Sequence, residues 1–538
     1  MRPRTGIAVF VTLVGAAGAL AVAAGSGTAA HAASSNSNKV KAGDLLVSGT
    51  IYTAPNIVAG TTQLPPGCAP ANCVTATAGS AYPQVFNNAN ADGSFGTTSQ
   101  IFLDELTTGG RSNGRIMINP NDMATSFSSK SELAVNLSPD GKYATWLGYA
   151  AKPGNVDVSN SSTPGEPDPE NPIPATYFRA VGQLDANGNV SVTKTNAFTG
   201  DNGRAAIAAT VDGKEVYYAA GNASSVETPQ LPGTIVGAGA QLITPGSTPG
   251  TPTPVGSFSV TQLGDKADKA GKDDNFRGIA IYNNVLYYTK GSGSNGVNTV
   301  YYVDTTGSCN NGVGIPSANA TLPTTPLSVD LSTVQTAGLP SNMCILKGFP
   351  TVLAKGATDA SDYPFGIWFA NPTTLYVADE GAGDNAFSGG TYTAAAASTT
   401  AGIQKWVYNA TAGEWQLAYT LQSGLNLGQP YTISGYPTGT NSATGLPWSP
   451  ATDGLRSITG KVNSDGTVSL WAVTSTVSGS GDQGADPNKL VETNDNLAAT
   501  SRPSGESFKT VETATLGQLY RGVTFTPGTD VSSGKYGS

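Results

Sequence analysis

The feature that most constrains the fold is a strand–turn–strand unit that occurs six times, with its last copy divided between the two ends of the chain. Each unit has a Gly- or Ala-rich apolar strand, a tight turn, and a second strand rich in Tyr, Val and Trp. No second strand follows the last unit, but a strand with the sequence GDLLVSGTIY begins at Gly43. A repeat split in this way predicts a ring closed by joining its two ends. The units begin at Glu132, Arg204, Arg277, Phe365, Arg456 and Arg521.

Further short strands follow each unit, and four antiparallel strands per unit are typical of a propeller blade. We therefore predict an all-β fold: a single six-bladed β-propeller, closed by pairing the C-terminal inner strand with N-terminal strands. A pair of β-sandwich domains is the alternative, but sandwiches do not repeat one strand signature six times. The expected propeller spans 43–528, between flexible segments 33–42 and 529–538, with blades at 132–203, 204–276, 277–364, 365–455, 456–520, and 521–528 plus 43–131.

The beginning of the chain resembles an export signal. Arg2 and Arg4 precede an apolar run, and Ala-His-Ala at 30–32 suits cleavage, so we expect residues 1–32 to be removed and the protein to be secreted. No later apolar run is long enough to span a bilayer. In an exported protein the four cysteines are expected to form two disulfides, Cys68–Cys73 and Cys309–Cys344.

Composition excludes several classes of function. The formal net charge is -9, and an acidic surface repels nucleic acid and anionic membranes, so we expect neither as a partner. The only histidine, His31, lies in the expected signal. Without imidazole the protein cannot use a Ser-His-Asp relay or histidine-bound zinc or copper. We expect no haem, quinone or nucleotide cofactor, and a monomer.

Several segments resemble a broad group of secreted bacterial six-bladed propellers that has no settled activity. They include IFLDELTTGGR, ELAVNLSPDGKYATWLGYAA, PFGIWFANPTTLYVADEGAG and YRGVTFTP, and the likeness covers most of residues 43–528. More distantly, LYVAD is similar to strands of NHL-type and gluconolactonase-type propellers. The resemblance implies the fold and supplies no site residues.

A recurring spacing marks one face of the predicted ring. Asp201, Asp274 and Asp453 each precede an arginine by three residues, and Asp362 stands in the same relation to Phe365. One interpretation is an Arg-lined channel mouth that holds a carboxylate, sulfate or phosphate. The other is structural: each Asp caps its turn, and each Arg ties neighbouring blades together. The candidate ligand-binding residues are Arg204, Arg277, Arg456, Arg521, Glu132 and Tyr363.

The longest loops are expected on the same face, where binding sites normally lie. One begins with DEGAGDN, which suits a weak oxygen-ligated calcium site at Asp379, Asp384 and Asn385, although a solvated acidic loop is the alternative. Asp379, Glu380 and Asp453 are the candidate catalytic carboxylates. Tyr363, Trp368 and Tyr520 are candidate stacking platforms, with Trp368 also suited to the blade core.

Two functions remain open from the sequence. The first is a secreted protein that binds an extracellular glycan or small anionic molecule on its long-loop face. The alternative is a histidine-independent hydrolase or lyase that acts on a glycan or phosphoester through carboxylates, with or without calcium. Binding is favoured because nothing in the sequence identifies a nucleophile.

Overall fold

A computed structural model describes residues 39–76, 82–83, 97–127, 131–168, 173–223, 239–258, 260–264, 274–291, 296–327, 341–354, 362–480 and 483–530. The expected export signal and His31 lie outside these residues. Within them, the secondary structure is almost entirely β-strand, arranged as a six-bladed β-propeller, and this confirms the predicted fold. No described helix has the length and apolar character needed to cross a membrane.

The first three blades follow the chain in order, each with its innermost strand first. Blade 1 contains Asn136–Leu137, Tyr143–Tyr149, Arg179–Asp185 and Val190–Thr195. Blade 2 contains Gly203–Val211, Lys214–Gly221, Gly239–Ile243 and Pro254–Gly256. Blade 3 contains Ile279–Tyr282, Val285–Lys290, Thr299–Val303 and Met343–Leu346, with Val313–Gly314 added in parallel at the outer edge.

The last three blades complete the ring. Blade 4 contains Pro364–Asn371, Thr374–Asp379, Gly402–Asn409 and Glu414–Leu421. Blade 5 contains Ala451–Val462, Thr467–Val477, Lys489–Asn496 and Lys509–Thr513. Blade 6 contains Gln518–Phe525, Leu45–Ile51, Thr98–Leu106 and Ser112–Met117.

Blade 6 joins the two ends of the chain as predicted. Leu45 pairs with Phe525, and Ile51 pairs with Gln518, so the inner strand is C-terminal and its neighbour N-terminal. Packing continues beyond the expected range of 43–528. Val40 is buried in the core between blades 6 and 1, and the Gly43 amide donates to Thr529 Oγ1 at 2.9 Å.

Short elements lie in the loops between these strands. They are the strands Gln63–Leu64, Val74–Thr75, Thr125–Ser126, Phe387–Ser388 and Thr391–Tyr392, the α-helix Thr393–Ala397, and the 3-10 turns Pro70–Asn72, Val158–Asn160, Val260–Leu263 and Gln483–Ala485. The two predicted disulfides, Cys68–Cys73 and Cys309–Cys344, are present. The first closes a small loop, and the second anchors the long connection of blade 3.

The core lies between adjacent sheets, because both faces of each blade are covered by its neighbours. Apolar and aromatic side chains fill these layers, as expected for β-branched and aromatic residues in strands buried on both faces. Hydroxyl groups also link neighbouring blades. Thr145 Oγ1 donates to the Ala206 carbonyl at 2.9 Å, and Ser48 Oγ donates to the Leu133 carbonyl at 2.6 Å. The first link joins the second strand of blade 1 to the inner strand of blade 2. The second joins the second strand of blade 6 to the segment just before the inner strand of blade 1.

Candidate functional site

A β-bulge lies at the recurring Arg or Phe position of five inner strands. In blade 2, Gly203 pairs with Gly221 and Ala205 with Ala220, which leaves Arg204 as the extra residue. The register shifts in the same way at Phe365, Arg456 and Arg521. At blade 3, Thr289 accepts from the Arg277 amide and donates to the Gly278 carbonyl. A bulge re-aims the side chain of its extra residue. Each of these five blades therefore presents this side chain at the same end of its inner strand.

Three of the four arginines make structural contacts, as the second interpretation of the Asp–Arg spacing predicts. Arg204 donates to Asn275 Oδ1 and, at 3.3 Å, to the Phe276 carbonyl, so blade 2 is tied to blade 3. Arg521 Nη2 donates to the Ser126 and Phe127 carbonyls at 3.1 and 2.5 Å.

The third structural arginine, Arg456, pairs with a carboxylate of the neighbouring blade. Its Nε lies 3.0 Å from Glu380 Oε2, which joins blade 5 to the loop of blade 4. The pair is partly accessible, with 21% of the Arg456 side chain exposed. The Arg456 guanidinium also lies 5.9 Å from the Phe365 ring centroid.

Of the acids in the repeated spacing, Asp201 holds its own turn, as the second interpretation predicts, while Asp274, Asp453 and Asp362 bond to more distant segments of the chain. Asp201 accepts from the Asn202 amide at 2.9 Å, and Asp274 accepts from the Phe258 amide at 2.6 Å. Asp453 Oδ2 accepts from the Gly383 amide at 2.8 Å, and Asp362 Oδ1 accepts from Gln404 Nε2 at 3.0 Å. These contacts turn the carboxylates toward backbone and amide groups.

Arg277 differs from the other three arginines. Its one side-chain hydrogen bond within the described part of the chain runs from Nη1 to Ser131 Oγ, at the entry to blade 1. Its Nε is buried and has no hydrogen-bond partner there. Burial lowers the pKa of Arg277 to about 9, and repulsion from Arg204 and Arg456 acts in the same direction, while Glu380 and Asp201 oppose it. Arg277 is therefore a partly buried cation, with its Nε covered and with no ion-pair partner among the described residues.

A strained segment holds the hydroxyl that contacts Arg277. Ser131 and Leu133 have φ values of 62° and 67°, a region that costs a residue with a β-carbon on the order of 1–3 kcal/mol. Between them, Glu132 is buried and accepts hydrogen bonds from Tyr149 Oη and four other donors. Those donors are Thr125 Oγ1 at 2.9 Å, the Ser126 amide at 3.0 Å, and Ser126 Oγ and Asn202 Nδ2, both at 3.3 Å. These bonds stabilise the segment in its strained form.

The two candidate catalytic aspartates lie on either side of Gly381 and are almost completely buried, with 0% of Asp379 and 2% of Asp453 exposed. Asp379 Oδ1 accepts from the Gly381 amide at 2.9 Å, and Asp379 Oδ2 accepts from the Tyr363 amide at 2.7 Å. Burial raises the pKa of Asp379 and of Asp453 to about 7 each, although backbone N–H groups partly oppose the shift. Both carboxylates therefore stabilise the loop that carries Glu380.

The residues of the calcium hypothesis are engaged in local turns. Both oxygens of Asp379 accept hydrogen bonds, and Asp384 Oδ1 accepts from the Ala386 amide at 2.7 Å. Among the described residues, the one group of three His, Cys, Asp or Glu side chains with converging ligand atoms is Asp304, Cys309 and Cys344. Its two sulfurs form a disulfide, so they are not thiolate ligands. Calcium at Asp379, Asp384 and Asn385 stays a prediction.

The candidate aromatic platforms differ in access. Tyr363 is partly exposed at the rim, where burial and nearby carboxylates raise its pKa. Trp368 packs against the core between blades 4 and 5, as its second interpretation predicts. Tyr520 is 3% exposed and packs against Phe102, so the expectation of a surface platform there is wrong.

A separate cleft of about 580 Å³ lies at the outer edge of blade 6, away from the channel. Four basic residues line it, but two of them are paired with acids. Arg115 Nε lies 2.5 Å from Asp104 Oδ1, and Lys41 Nζ lies 3.9 Å from Asp44 Oδ1. The buried carboxyl of Glu105 also lines this cleft. The other two basic residues, Lys39 and Arg111, are exposed to solvent, which screens their charges. The channel mouth, where Arg277 is partly buried, is therefore the stronger candidate for binding an anion.

Sequence reasoning missed two residues that shape the site. Ser131 stands next to Glu132, but nothing in the sequence indicates its contact with an arginine two blades away. Arg179 is fully buried, and its Nη2 donates to the Ser159, Ser161 and Asp201 carbonyls at 3.0, 2.9 and 2.6 Å. Arg179 lies outside the repeated Asp–Arg spacing, and that spacing was the sequence pattern that identified the candidate arginines.

No protein family profile and no curated protein matches this chain. An ulvan lyase of polysaccharide lyase family PL25, bound to -[GlcA(1-4)Rha3S]-, is similar at 12% identity and a TM-score of 0.30, over 81% of this chain and 94% of that one. A levansucrase variant from B. megaterium is similar at 9% identity and a TM-score of 0.27, over 72% and 84% of the two chains. A Synechocystis apocarotenoid oxygenase variant is similar at 10% identity and a TM-score of 0.22, over 81% and 60%. Likenesses this distant do not establish a shared activity.

Proposed function

We propose that this propeller is a secreted binding protein that holds an anionic extracellular ligand, either a small molecule or a charged group of a glycan, at its channel mouth. The observation that carries the proposal is Arg277, whose buried Nε lacks a hydrogen-bond partner among the described residues. Leaving a buried charged donor unsatisfied costs free energy. A bound anion would supply the missing acceptor and the missing charge.

The neighbouring residues support an anion at this position. Arg204 and Arg456 lower the pKa of Arg277 by repulsion, while Glu380 and Asp201 raise it, so the charge of Arg277 itself is the excess that an anion would balance. Tyr363 at the rim could contact the rest of the ligand. Export is supported by the N-terminal sequence and by the two disulfides, which persist in oxidising compartments.

The structure gives less support to the alternative of a carboxylate-dependent hydrolase or lyase. Asp379 and Asp453 are buried and bonded to backbone amides, and Glu380 is paired with Arg456. A general acid or base must come within hydrogen-bond reach of its substrate. These contacts suit a structural role for the three carboxylates.

Isothermal titration calorimetry with sodium glucuronate tests the binding proposal. Arg277→Gln should weaken binding at least tenfold, because it removes the charge and the paired donors. Arg277→Lys should also weaken it, since an ammonium lacks the planar fork. The matched control is Arg502→Gln, at an exposed position outside the channel mouth. Equal affinities for wild type and Arg277→Gln would refute the proposal, and adding calcium to each titration tests the calcium hypothesis.

A further inference from the structure

We propose that Lys405 and Asp495 become joined by an amide bond that forms within the folded chain, so that this pair is a modification site linking blade 4 covalently to blade 5. The two residues lie on the third strands of these blades, Gly402–Asn409 and Lys489–Asn496. Lys405 Nζ lies 3.1 Å from Asp495 Oδ2, and both side chains are fully buried. The inference is independent of the anion site, because these third strands lie away from the inner strands that line the channel.

The surroundings of Lys405 favour the neutral form of its amine, which is the nucleophilic form. Burial lowers the pKa of Lys405, although the charge of Asp495 opposes the shift. The rings of Tyr376 and Tyr419 lie close, with centroids 5.9 and 5.2 Å from Nζ. Burial also raises the pKa of the neighbouring Glu506, and the charge of Asp495 acts in the same direction. Because this region penalises charged groups, transfer of a proton from the ammonium to the carboxylate is favoured there.

The carboxyl group of Asp495 is held and polarised by two tyrosines. Tyr376 Oη donates to Oδ2 at 2.6 Å, and Tyr419 Oη donates to Oδ1 at 2.8 Å. Burial and the neighbouring Asp495 raise the pKa of both tyrosines, so their hydroxyls keep their protons and remain donors. Negative charge develops on a carboxyl oxygen when an amine adds to the carbon, and fixed donors at that oxygen stabilise it.

The amine is held against this carboxyl group by its other contacts. Lys405 Nζ also donates to the Asn496, Ala499 and Leu497 carbonyls at 2.7, 2.9 and 3.1 Å and to Tyr419 Oη at 3.0 Å. Groups fixed about 3–3.5 Å apart react as if the step were unimolecular. The product amide keeps one N–H for the Asn496 carbonyl, and the other two carbonyls belong to a partly exposed turn. The reaction also removes two buried charges, which are costly to desolvate.

The reaction balances without a further reagent. A proton passes from the Lys405 ammonium to the Asp495 carboxylate, and the neutral amine then attacks Cγ. A bond forms between Nζ and Cγ, and the bond between Cγ and one carboxyl oxygen breaks. That oxygen takes a second proton from the nitrogen and leaves as water. One ammonium and one carboxylate thus become one amide and one water, and nothing is oxidised or reduced.

Peptide mapping by mass spectrometry tests the proposal on the purified protein, denatured and with both disulfides reduced. Chymotrypsin should release Lys405 and Asp495 in separate peptides, 393–406 and 491–497, unless an amide joins them. Wild type should instead give one branched peptide, about 18 Da below the summed mass of the two because one water is lost. Fragmentation of the branched peptide locates the linked residues.

An exposed ion pair of the same type is the control within the same chain. Lys142 Nζ lies 2.9 Å from Asp140 Oδ2, but the two side chains are 63% and 32% exposed. Water stabilises both charges there, so peptide 138–143 should keep its full mass. A loss of water at this pair as well would refute the requirement for burial.

The matched variant is Lys405→Arg, which keeps a cation at this position but removes the amine. It should give peptides 393–406 and 491–497 separately, each at full mass. Separate peptides of full mass in wild type would refute the proposal. A branched peptide that persists in Lys405→Arg would also refute it, because another residue would then be linked. If Lys405→Arg does not fold, fragmentation of the wild-type peptide makes the same assignment.

Discussion

Replacing Asp453 with Asn should make the protein more stable near neutral pH while leaving its stability in acid nearly unchanged. Burial raises the pKa of Asp453 from 3.8 to about 7. Because the folded-state pKa is the higher one, the stability associated with this group is fully present below pH 3.8 and is lost as the pH rises to about 7. A shift of about three units at 1.36 kcal/mol per unit corresponds to about 4 kcal/mol.

An Asn side chain keeps the acceptor for the Gly383 amide and never ionises, so Asp453→Asn avoids this loss. With an unfolding entropy of about 2.1 cal/mol/K per residue, 4 kcal/mol corresponds to about 4 °C in Tm for a chain of this length. Thermal unfolding, followed by calorimetry or circular dichroism, measures the Tm of both proteins at several pH values. The Tm difference between the variant and wild type should increase by about 4 °C from acid to neutral pH. Asp212→Asn, at an exposed turn, is the control. A Tm difference that stays constant with pH would refute the reasoning.

Two further predictions concern the packing of the ring. Lys405 Nζ lies 3.1 Å from Asp495 Oδ2, and both side chains are fully buried, so Lys405→Met should destabilise the protein by about 3–5 kcal/mol. Denaturant unfolding should show this loss, and the double variant with Asp495→Leu should recover only part of it, because the Tyr376 and Tyr419 hydroxyls also donate to Asp495. A β-carbon at Gly278 would lie 1.9 Å from the Phe365 carbonyl oxygen, so Gly278→Ala should cost about 1–3 kcal/mol or prevent folding. Gly114→Ala, with open space around it, should be close to neutral, and equal effects of the two changes would contradict the close approach of blades 3 and 4.

Much of the fold could be predicted from the chain because the propeller repeats one local pattern. Each inner hairpin is encoded by apolar residues around a turn of Gly, Asn or Asp, and six copies reinforce one another. The split copy at Arg521 and Gly43 also predicted the closing pair, Leu45–Ile51 with Gln518–Phe525. The short strand Pro254–Gly256 of blade 2 was not anticipated, since a proline-containing run at a sheet edge lacks the alternating pattern.

The site was less accessible to sequence reasoning than the fold. The spacing of Asp and Arg correctly located a ring of charged residues, but it could not distinguish Arg277 from Arg204. Both follow an aspartate by three residues, and they differ in the residues of other blades that they contact. Arg204 meets Asn275 of the next blade, while Arg277 meets Ser131 two blades away. Such contacts depend on the packing of distant segments, which no local pattern encodes.

The bulges of the inner strands have a consequence for how this protein could change over time. Because each β-bulge is set by strand pairing within its blade, the blade places little constraint on the identity of the extra residue in the bulge. The Phe365 position shows that an aromatic ring can occupy the place that a guanidinium occupies elsewhere. Related proteins could therefore acquire new ligand preferences through single substitutions at these bulge positions, without a change in the propeller that carries them.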